Sequence, residues 1–252
     1  MPPRALARPL APPTVRLYWE SPTAKTAIAT VTGHAGGGFT LDRTLYHAPL
    51  AGYHHAQPCD LGHVLAEGHK LKLTKVFWDA HGRLVHRTSG PLPKVGARAQ
   101  LHLDAERREL QARAHAAMHL LVTAAAESHA TFLDAPAVVG GGEARVTVRF
   151  REDPAVALPR VVARAQQLAD AREDVTAKWA PREDAAKLVT EGPVPLDAVM
   201  PAEPSLRLVQ CGKRSVLPCD APLCAHTWDV GPMRLALVQR KGEGVRFGVK
   251  VA

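Results

Sequence analysis

The stretch DAERRELQARAHAAMHLLVTAAAESHA, residues 104–130, decides the fold class of this chain of 252 residues. Leu110, Ala114, Ala117, Leu121 and Ala124 recur at helical spacing, which predicts one long helix. The chain before this stretch consists of short alternating segments that predict strands, whereas the chain after it alternates between strand and helix patterns. The stretch therefore marks the boundary between a β half and an α+β half.

The N-terminal half, residues 1–103, predicts a small β-barrel domain. Residues 1–13 are rich in proline and arginine and are expected to form a loose leader. The turn GHAGGG (33–38) supplies glycines for a hairpin, and no helix follows it that would make it a phosphate loop. Short strands without a helix are typical of small barrels. The predicted strands are 14–19, 26–32, 39–46, 70–78, 83–88 and 97–103.

The C-terminal half, residues 104–252, predicts an α+β domain with an antiparallel sheet and helices on one face. Besides the long helix, helical patterns occupy 153–171, with a regular start at Pro159, and 180–190. The predicted strands are 144–150, 205–211, 233–240 and 244–251, and the last two form a hairpin through KGEG.

The composition indicates a reduced compartment and an anionic partner. The net charge of +8 suits a polyanion such as a nucleic acid, and a basic surface without such a role is the alternative. No continuous apolar segment at the start predicts a signal peptide, and no apolar run approaches the ~20 residues that span a bilayer. We expect a cytoplasmic protein, where clustered cysteine and histidine indicate metal more often than disulfide.

His115 and His119 within RAHAAMHLL are four residues apart, so both side chains face one side of the helix and can bind one ion. The motif is not HExxH, and the glutamate base of the zincins is absent. Two of thirteen histidines can also fall at this spacing by chance. A second cluster, PCDAPLCAHTWDVG (218–231), contains Cys219, Cys224 and His226.

These two clusters, in this order, resemble the H-x-x-x-H and C-x-x-x-H motifs of the editing domain of alanyl-tRNA synthetase, which the freestanding AlaX proteins share. LYWESPTAKTAIATV followed by FTLDRTLYHAP resembles the N-terminal barrel of the longer AlaX type. RLVHRTSGPLPKVGARAQLHLDAERRELQARAHAAMHLL (83–121) follows the family order of hairpin, GPLP, strand and histidines. HHAQPCDLG (54–62) and LPCDAPLCAHTWDVGPMRL (217–235) resemble two further family motifs. The resemblance covers residues 14–252.

Three motifs of this chain depart from the family pattern. Counting without a gap from Cys219 places Leu223 where the family has its last histidine ligand. The glycine-rich motif is reduced to HHAQP, which keeps Gln57 and Asp60. The family's Thr-Gly-Glu-Ile-Gly becomes residues 227–231, with Trp228 before the acid.

The resemblance implies a zinc ion (Zn²⁺) held by His115, His119 and Cys219, which is the usual number of protein ligands for a catalytic zinc. Three arrangements remain open: an open three-ligand site, a site completed by Cys224, His226 or Asp220, and a site without metal. The zinc would activate water, polarise the ester carbonyl or hold the α-amine of the substrate.

The activity implied by the resemblance is hydrolysis in trans of the ester that joins a misattached amino acid, serine or glycine, to alanine tRNA. A divergent tRNA- or ligand-binding module and a hydrolase of another ester or amide are the alternatives. The resemblance implies that Gln57 binds the amino acid of the substrate, and an ordinary loop amide is the alternative. Asp60 is expected to cap or brace its turn. Candidate tRNA contacts are Arg107, Arg108 and Arg113 for phosphates and Trp179 and Trp228 for base stacking. The alternatives are a solvated helix face for the arginines and core or rim positions for the tryptophans.

Overall fold

A computed structural model describes residues 14–49, 57–134, 137–188, 205–213 and 215–252. The predicted leader, residues 1–13, lies outside the described residues. The chain divides into two compact units. The first unit comprises Met1–Ala48 and Cys59–Asp104, and the second comprises Pro49–Pro58 and Ala105–Ala252. The segment from Pro49 to Pro58 is therefore grouped with the later part of the chain, which brings Gln57 into the second unit.

The first unit contains a closed antiparallel barrel in the order β2-β3-β7-β6-β5-β8, and it confirms the predicted barrel class. Outside the barrel, β1 pairs with β4 in parallel. The elements are β1 (Val15–Arg16), α1 (Leu17–Glu20), β2 (Thr26–Ala35), β3 (Gly38–Leu41), β4 (Arg43–Thr44), β5 (Gly62–Ala66), β6 (His69–Trp78), β7 (Leu84–Thr88) and β8 (Arg98–Leu103).

Alternation along the barrel strands directs one row of side chains into the core. In β6, Leu71, Leu73 and Val76 are buried, and in β8 Ala99 and Leu101 are buried, while most of their neighbours are exposed. Such alternation is typical of a sheet with one buried face. The barrel therefore forms from the period of its strands and the apolar cluster that they enclose.

The predicted strand over 14–19 is wrong in its second half. Only Val15 and Arg16 are extended, and Leu17–Glu20 form one helical turn closed by the bond from the Ser21 N–H to the Leu17 carbonyl. The turn buries the ring of Tyr18, which is 1% exposed. Burial of this large ring offsets the strand preference of the local sequence.

The second unit contains two antiparallel sheets, and the α+β class is confirmed. One sheet has the order β10-β11-β16-β15 with β9 beside β11, and the other has the order β12-β13-β14. The elements are α2 (Ala105–Glu127), β9 (Thr131–Phe132), β10 (Ala137–Val139), β11 (Glu143–Arg149), α3 (Pro154–Asp170), β12 (Val175–Pro181), α4 (Arg182–Leu188), β13 (Ser205–Cys211), β14 (Ser215–Pro218), a 3-10 helix (Thr227–Val230), β15 (Met233–Lys241) and β16 (Gly244–Val251).

Helix α2 lies at the centre of the second unit, where it packs against α3 and β11. Alanines occupy much of its buried surface, and their small side chains allow neighbouring elements to approach closely. Ala114, Ala117, Leu121 and Ala124 are fully buried, as the helical spacing predicted. Residues placed on this helix are therefore held by packing on several sides.

The predicted start of α3 at Pro159 is wrong, because the helix begins at Pro154 and contains Pro159 in its interior. Asp153 caps the helix through its side chain, which accepts the N–H of Ala155 at 2.9 Å. An N-cap aspartate followed by proline at the first position is a strong start signal. With this cap the helix begins at Pro154, more than one turn before the predicted start at Pro159.

Strands β12 and β14 were not predicted from the sequence, although β12 pairs with β13 along seven residues. Most of β12 is exposed, so its side chains lack the apolar alternation that identifies a strand.

Among the described residues, no helix has the length and apolar character needed to cross a membrane.

Candidate metal centre

His115 and His119 lie on one side of α2 in the interior of the second unit. Both side chains are 0% exposed, and their ring centroids are 5.4 Å apart. The i, i+4 spacing places successive side chains above one another on a helix. Because α2 is packed on several sides, the two rings are shielded from solvent.

Cys219 follows β14 directly and reaches the histidines because its backbone is tied to β13. Its N–H donates to the Arg207 carbonyl at 3.0 Å, and the buried Arg207 guanidinium donates to the carbonyls of Cys219 and Ala221 at 3.0 and 3.2 Å. These bonds continue the β13–β14 pairing beyond the last strand residue. The Cys219 thiol is 0% exposed and lies 3.3 Å from Nε2 of His115.

The side chain of Gln57 determines the tautomer of His115. Its Oε1 lies 2.7 Å from Nδ1 of His115, and Gln57 is 1% exposed. An amide oxygen only accepts hydrogen bonds, so Nδ1 carries the proton. The lone pair of the neutral ring is therefore on Nε2, where it faces the Cys219 thiol and is available to a metal ion.

The three donor atoms fit the requirements of a zinc ion. The ligand atoms of His115, His119 and Cys219 all lie within 4.8 Å of one another. Tetrahedral zinc with bonds of about 2.0–2.3 Å places its nitrogen and sulfur ligands roughly 3.4–3.7 Å apart. The observed 3.3 Å between Nε2 of His115 and the Cys219 sulfur is close to that separation.

Burial raises the pKa of the Cys219 thiol to about 12, and the positive charge of Arg207 opposes this shift. Without a cation the sulfur is therefore a neutral thiol that donates to Nε2 of His115. A bound divalent cation favours the thiolate, because coordination replaces the proton. The donor set of two imidazoles and one thiolate is typical of zinc.

Leu223, Cys224 and His226 lie outside this group of three donors. Leu223 is 8% exposed and joins the apolar core. The Cys224 thiol donates to the His226 carbonyl at 3.3 Å, and Nδ1 of His226 lies 3.0 Å from the Asp174 carboxylate. His226 also stacks on the ring of Trp228, with centroids 3.9 Å apart.

Within the part of the chain that the structure describes, the only group of three or more possible metal donors is His115, His119 and Cys219. The predicted replacements for the fourth ligand, Cys224, His226 and Asp220, are not part of it. Asp220 is 2% exposed and adjacent in sequence to Cys219.

The three arginines on α2 are less available to a nucleic acid than the sequence suggested. Arg108 is 5% exposed, and Arg107 is half-buried. Arg113 is half-buried and donates twice to the Val230 carbonyl, at 3.0 Å from Nη2 and 3.3 Å from Nε. Arg108 and Arg113 are thus engaged in the packing around α2.

The Asp60 carboxylate accepts the His47 N–H at 2.6 Å, which ties it to a residue 13 positions earlier in the chain. Trp179 is 51% exposed and Trp228 is 42% exposed. Both rings therefore present apolar surface to solvent.

Gln111 is a polar residue that sequence inspection missed. It lies four residues before His115 on α2, and its side chain is 2% exposed. Its position in the sequence could have identified it as a candidate site residue, because Gln111, His115 and His119 lie on the same face of the helix. A glutamine on a helix is usually exposed, so burial could only be seen once the helix was packed.

A closed β-barrel unit and an α+β unit with a buried His-His-Cys group define this chain as an α+β protein with a candidate metal centre. The chain is related to alanine–tRNA ligases. It is 27% identical over 244 residues to the alanine–tRNA ligase of Korarchaeum cryptofilum, covering 93% of this chain and 26% of the relative. It is 26% identical over 240 residues to that of Archaeoglobus fulgidus, covering 93% and 25%.

The alanine–tRNA ligase of Hyperthermus butylicus is 27% identical over 249 residues, covering 94% of this chain and 25% of the relative. No protein-family model matches the chain. The chain spans about a quarter of the length of the curated relatives that it matches. These matches confirm the relationship to alanyl-tRNA synthetases that the sequence motifs indicated.

Proposed function

We propose that this protein is a zinc-dependent aminoacyl-tRNA deacylase acting in trans. It would hydrolyse the ester that joins a misattached serine or glycine to alanine tRNA, releasing the amino acid and a free 3′ hydroxyl. The observation that carries the proposal is the buried group of His115, His119 and Cys219. This group lies in a chain that aligns along 93% of its length with alanine–tRNA ligases.

His115, His119 and Cys219 would hold the zinc ion through two ring nitrogens and one sulfur. Three protein ligands leave one tetrahedral position for water or substrate, as in catalytic zinc sites. A zinc ion bound there would supply Lewis-acid polarisation to the group in that position. Gln57 orients His115 by accepting its Nδ1–H, which keeps Nε2 directed at the site.

The architecture suggests different roles for the two predicted domains. Residues 104–252 would form the editing domain, to which Gln57 is added by the grouping of Pro49–Pro58 with the second unit. Residues 1–103 would form the accompanying barrel domain. A tRNA partner is supported by the net charge of +8 and by the relatives that charge tRNA. We expect the protein to meet such a partner in the cytoplasm.

The exposed ring of Trp228, stacked on His226, is a candidate platform for a base at the tRNA 3′ end. Base–aromatic stacking tolerates any sequence because every base has an apolar face. Arg108 and Arg113 are buried or engaged with Val230, so phosphate contacts are expected from other basic residues.

The proposal is tested by measuring zinc content and deacylation in the same preparation. We expect purified protein to hold about one zinc per chain and to release serine or glycine from pre-charged alanine tRNA with no ligase present. His115→Ala should lose both properties, whereas His81→Ala, in an exposed turn, should keep them. Protein that neither contains nor takes up zinc would contradict the proposal.

A second candidate function is favoured by Leu223, which occupies the place of the family's last histidine ligand. In that case the chain would be a tRNA- or ligand-binding module whose metal is structural or lost. It would then bind alanine tRNA without releasing any amino acid, and His115→Ala would leave binding unchanged. A zinc protein that spares all aminoacyl-tRNAs but cleaves simple esters or amides would instead be a different hydrolase.

A further inference from the structure

Two buried glutamine side chains, Gln111 and Gln57, have hydrogen-bonding atoms that find no partner in the described part of the chain. Neither Nε2 nor Oε1 of Gln111 has a hydrogen-bond partner among the described residues, and the same is true of Nε2 of Gln57. The side chains of Gln111 and Gln57 are 2% and 1% exposed. Buried amide groups without partners are rare in folded proteins because desolvating them costs free energy.

Both glutamines are related to His115, Gln57 through a hydrogen bond and Gln111 through its position on α2. Gln111 precedes His115 by one turn of α2, and side chains at this spacing are neighbours on the helix surface. Because Cα–Cβ bonds tilt toward the helix N-terminus, the His115 ring extends over the turn that contains Gln111. Gln57 contacts the same ring through Nδ1. Gln57 therefore contacts the His115 ring, and Gln111 lies one helical turn before it on α2.

The free atoms define the chemistry of a matching ligand. Two amide nitrogens offer donors, and Oε1 of Gln111 offers an acceptor. A hydroxyl group both accepts and donates, so it can pair with a nitrogen and with the oxygen. A methyl group can do neither, and it would leave the buried amides unpaired.

We infer that Gln111 determines specificity by binding the side-chain hydroxyl of a seryl ester, with Nε2 of Gln57 as a second donor. This inference rests on the proposed deacylase function and extends it from the ester to the amino acid. A seryl group satisfies the amides, whereas an alanyl group of nearly the same volume does not. Sites built to bind a hydroxyl reject analogues lacking it by factors of up to about 10⁴–10⁵. For this reason the protein would not hydrolyse correctly charged alanyl-tRNA.

The test compares Gln111→Met with the matched control Gln239→Met, which makes the same change at an exposed position of β15. Both variants and the parent are assayed for kcat/KM on seryl- and alanyl-charged alanine tRNA. We expect Gln111→Met to lower the preference for serine at least about tenfold, mainly through slower seryl cleavage. Gln239→Met should keep the parental ratio.

Stability separates a specificity role from a structural one. If Gln111 has no partner in the free protein, methionine should leave the thermal midpoint and zinc content of the ligand-free protein unchanged or raise the midpoint. A lower midpoint with equal slowing of both substrates would show a structural role and overturn the inference. An unchanged serine preference in a well-folded Gln111→Met protein would overturn it as well.

A binding measurement distinguishes failure of this inference from failure of the proposed function. Amide-linked seryl- and alanyl-3′-amino-adenosine cannot be cleaved as esters, so their affinities are measurable even if the protein hydrolyses nothing. At least tenfold tighter binding of the seryl compound, lost in Gln111→Met and retained in Gln239→Met, would support the inference. Equal affinities for the two compounds in the parent protein would overturn it. Gln111→Leu serves as the second variant if methionine prevents folding.

Discussion

At the scale of single residues, His115 is the best-determined side chain of the candidate centre. Nδ1 contacts Gln57 and Nε2 faces Cys219, from positions 58 and 104 residues away in sequence. A ring held at both nitrogens has a defined tautomer and orientation, which is the role of second-sphere hydrogen bonds around metal ligands. The same geometry separates Cys219 from Cys224, whose thiol donates to a backbone carbonyl.

Substituting each of these two cysteines with serine should distinguish the proposed zinc ligand, Cys219, from Cys224, which lies outside the donor group. Cys219→Ser replaces the sulfur ligand by a hydroxyl that ionises far less readily, so bound zinc should fall from about one per chain to a small fraction. Cys224→Ser is the control, because serine can still donate to the His226 carbonyl. Zinc content measured by mass spectrometry after gel filtration checks the pair. Loss of zinc in Cys224→Ser alone would contradict the proposed ligand set.

The fully buried His86 of β7 should make the barrel acid-sensitive. Burial lowers the pKa of His86 from 6.5 to about 4. In this range the unfolded chain binds a proton that the folded protein does not, so stability falls as the pH falls from 6.5 to 4. The expected loss of unfolding free energy is about 3 kcal/mol.

Urea unfolding at pH 7 and pH 4.5 measures this effect. His86→Gln, which keeps a polar group near the Thr44 hydroxyl, should lose less stability on acidification than the parent. His81→Gln, at an exposed histidine, should behave like the parent. Equal acid sensitivity of the parent and His86→Gln would show that His86 is not the responsible group.

At the scale of elements, the two long helices of the second unit are specified in different ways. Helix α2 was predictable because its apolar positions from Leu110 to Ala124 recur at regular spacing over about four turns. Helix α3 has a proline in its interior, which removes one backbone hydrogen bond and usually ends a helix. Its actual start depends on the cap at Asp153, which lies nearly two turns before that proline.

Removing this cap should weaken α3. Asp153→Ala deletes the acceptor for the Ala155 N–H, and we expect the unfolding free energy to fall by about 1 kcal/mol. Asp153→Asn retains an equivalent acceptor and should stay within a few tenths of a kcal/mol of the parent. Denaturant unfolding of the three proteins compares them. Equal destabilisation by alanine and asparagine would point to the charge of Asp153 instead of its hydrogen bond.

At the scale of the whole molecule, the candidate metal centre belongs to the second unit alone. Its ligands come from α2 and from the residue after β14, and Gln57 comes from the segment grouped with this unit. The first unit has its own apolar core within the barrel. A ligand that binds only the folded state stabilises the structure that contains its site.

Zinc should therefore protect one unit more than the other. At a free zinc concentration of about 100 times Kd the expected stabilisation is about 2.7 kcal/mol. Hydrogen exchange with and without a chelator should show faster exchange in α2 and β13–β14 after zinc removal, with the barrel strands changed less. Faster exchange confined to the barrel would contradict the assignment of the metal to the second unit.

The sequence by itself determined the features that depend on local period and spacing. Alternating residues specified the barrel strands, and the 3.6-residue period specified α2. The pair His115 and His119 was predictable because a helix brings positions four apart to one face. The resemblance to alanyl-tRNA synthetases added Cys219 and Gln57 to the expected site.

Only the tertiary structure decided which distant residues meet. The helical turn at Tyr18, the exposed strand β12 and the early start of α3 all depend on packing or capping that overrides local propensity. The exclusion of Cys224 and His226 from the donor group, and the burial of Gln111, depend on how the loop after β14 and the helix α2 pack. Contacts between residues far apart in sequence form through burial of the whole unit, and no short stretch of sequence contains that information.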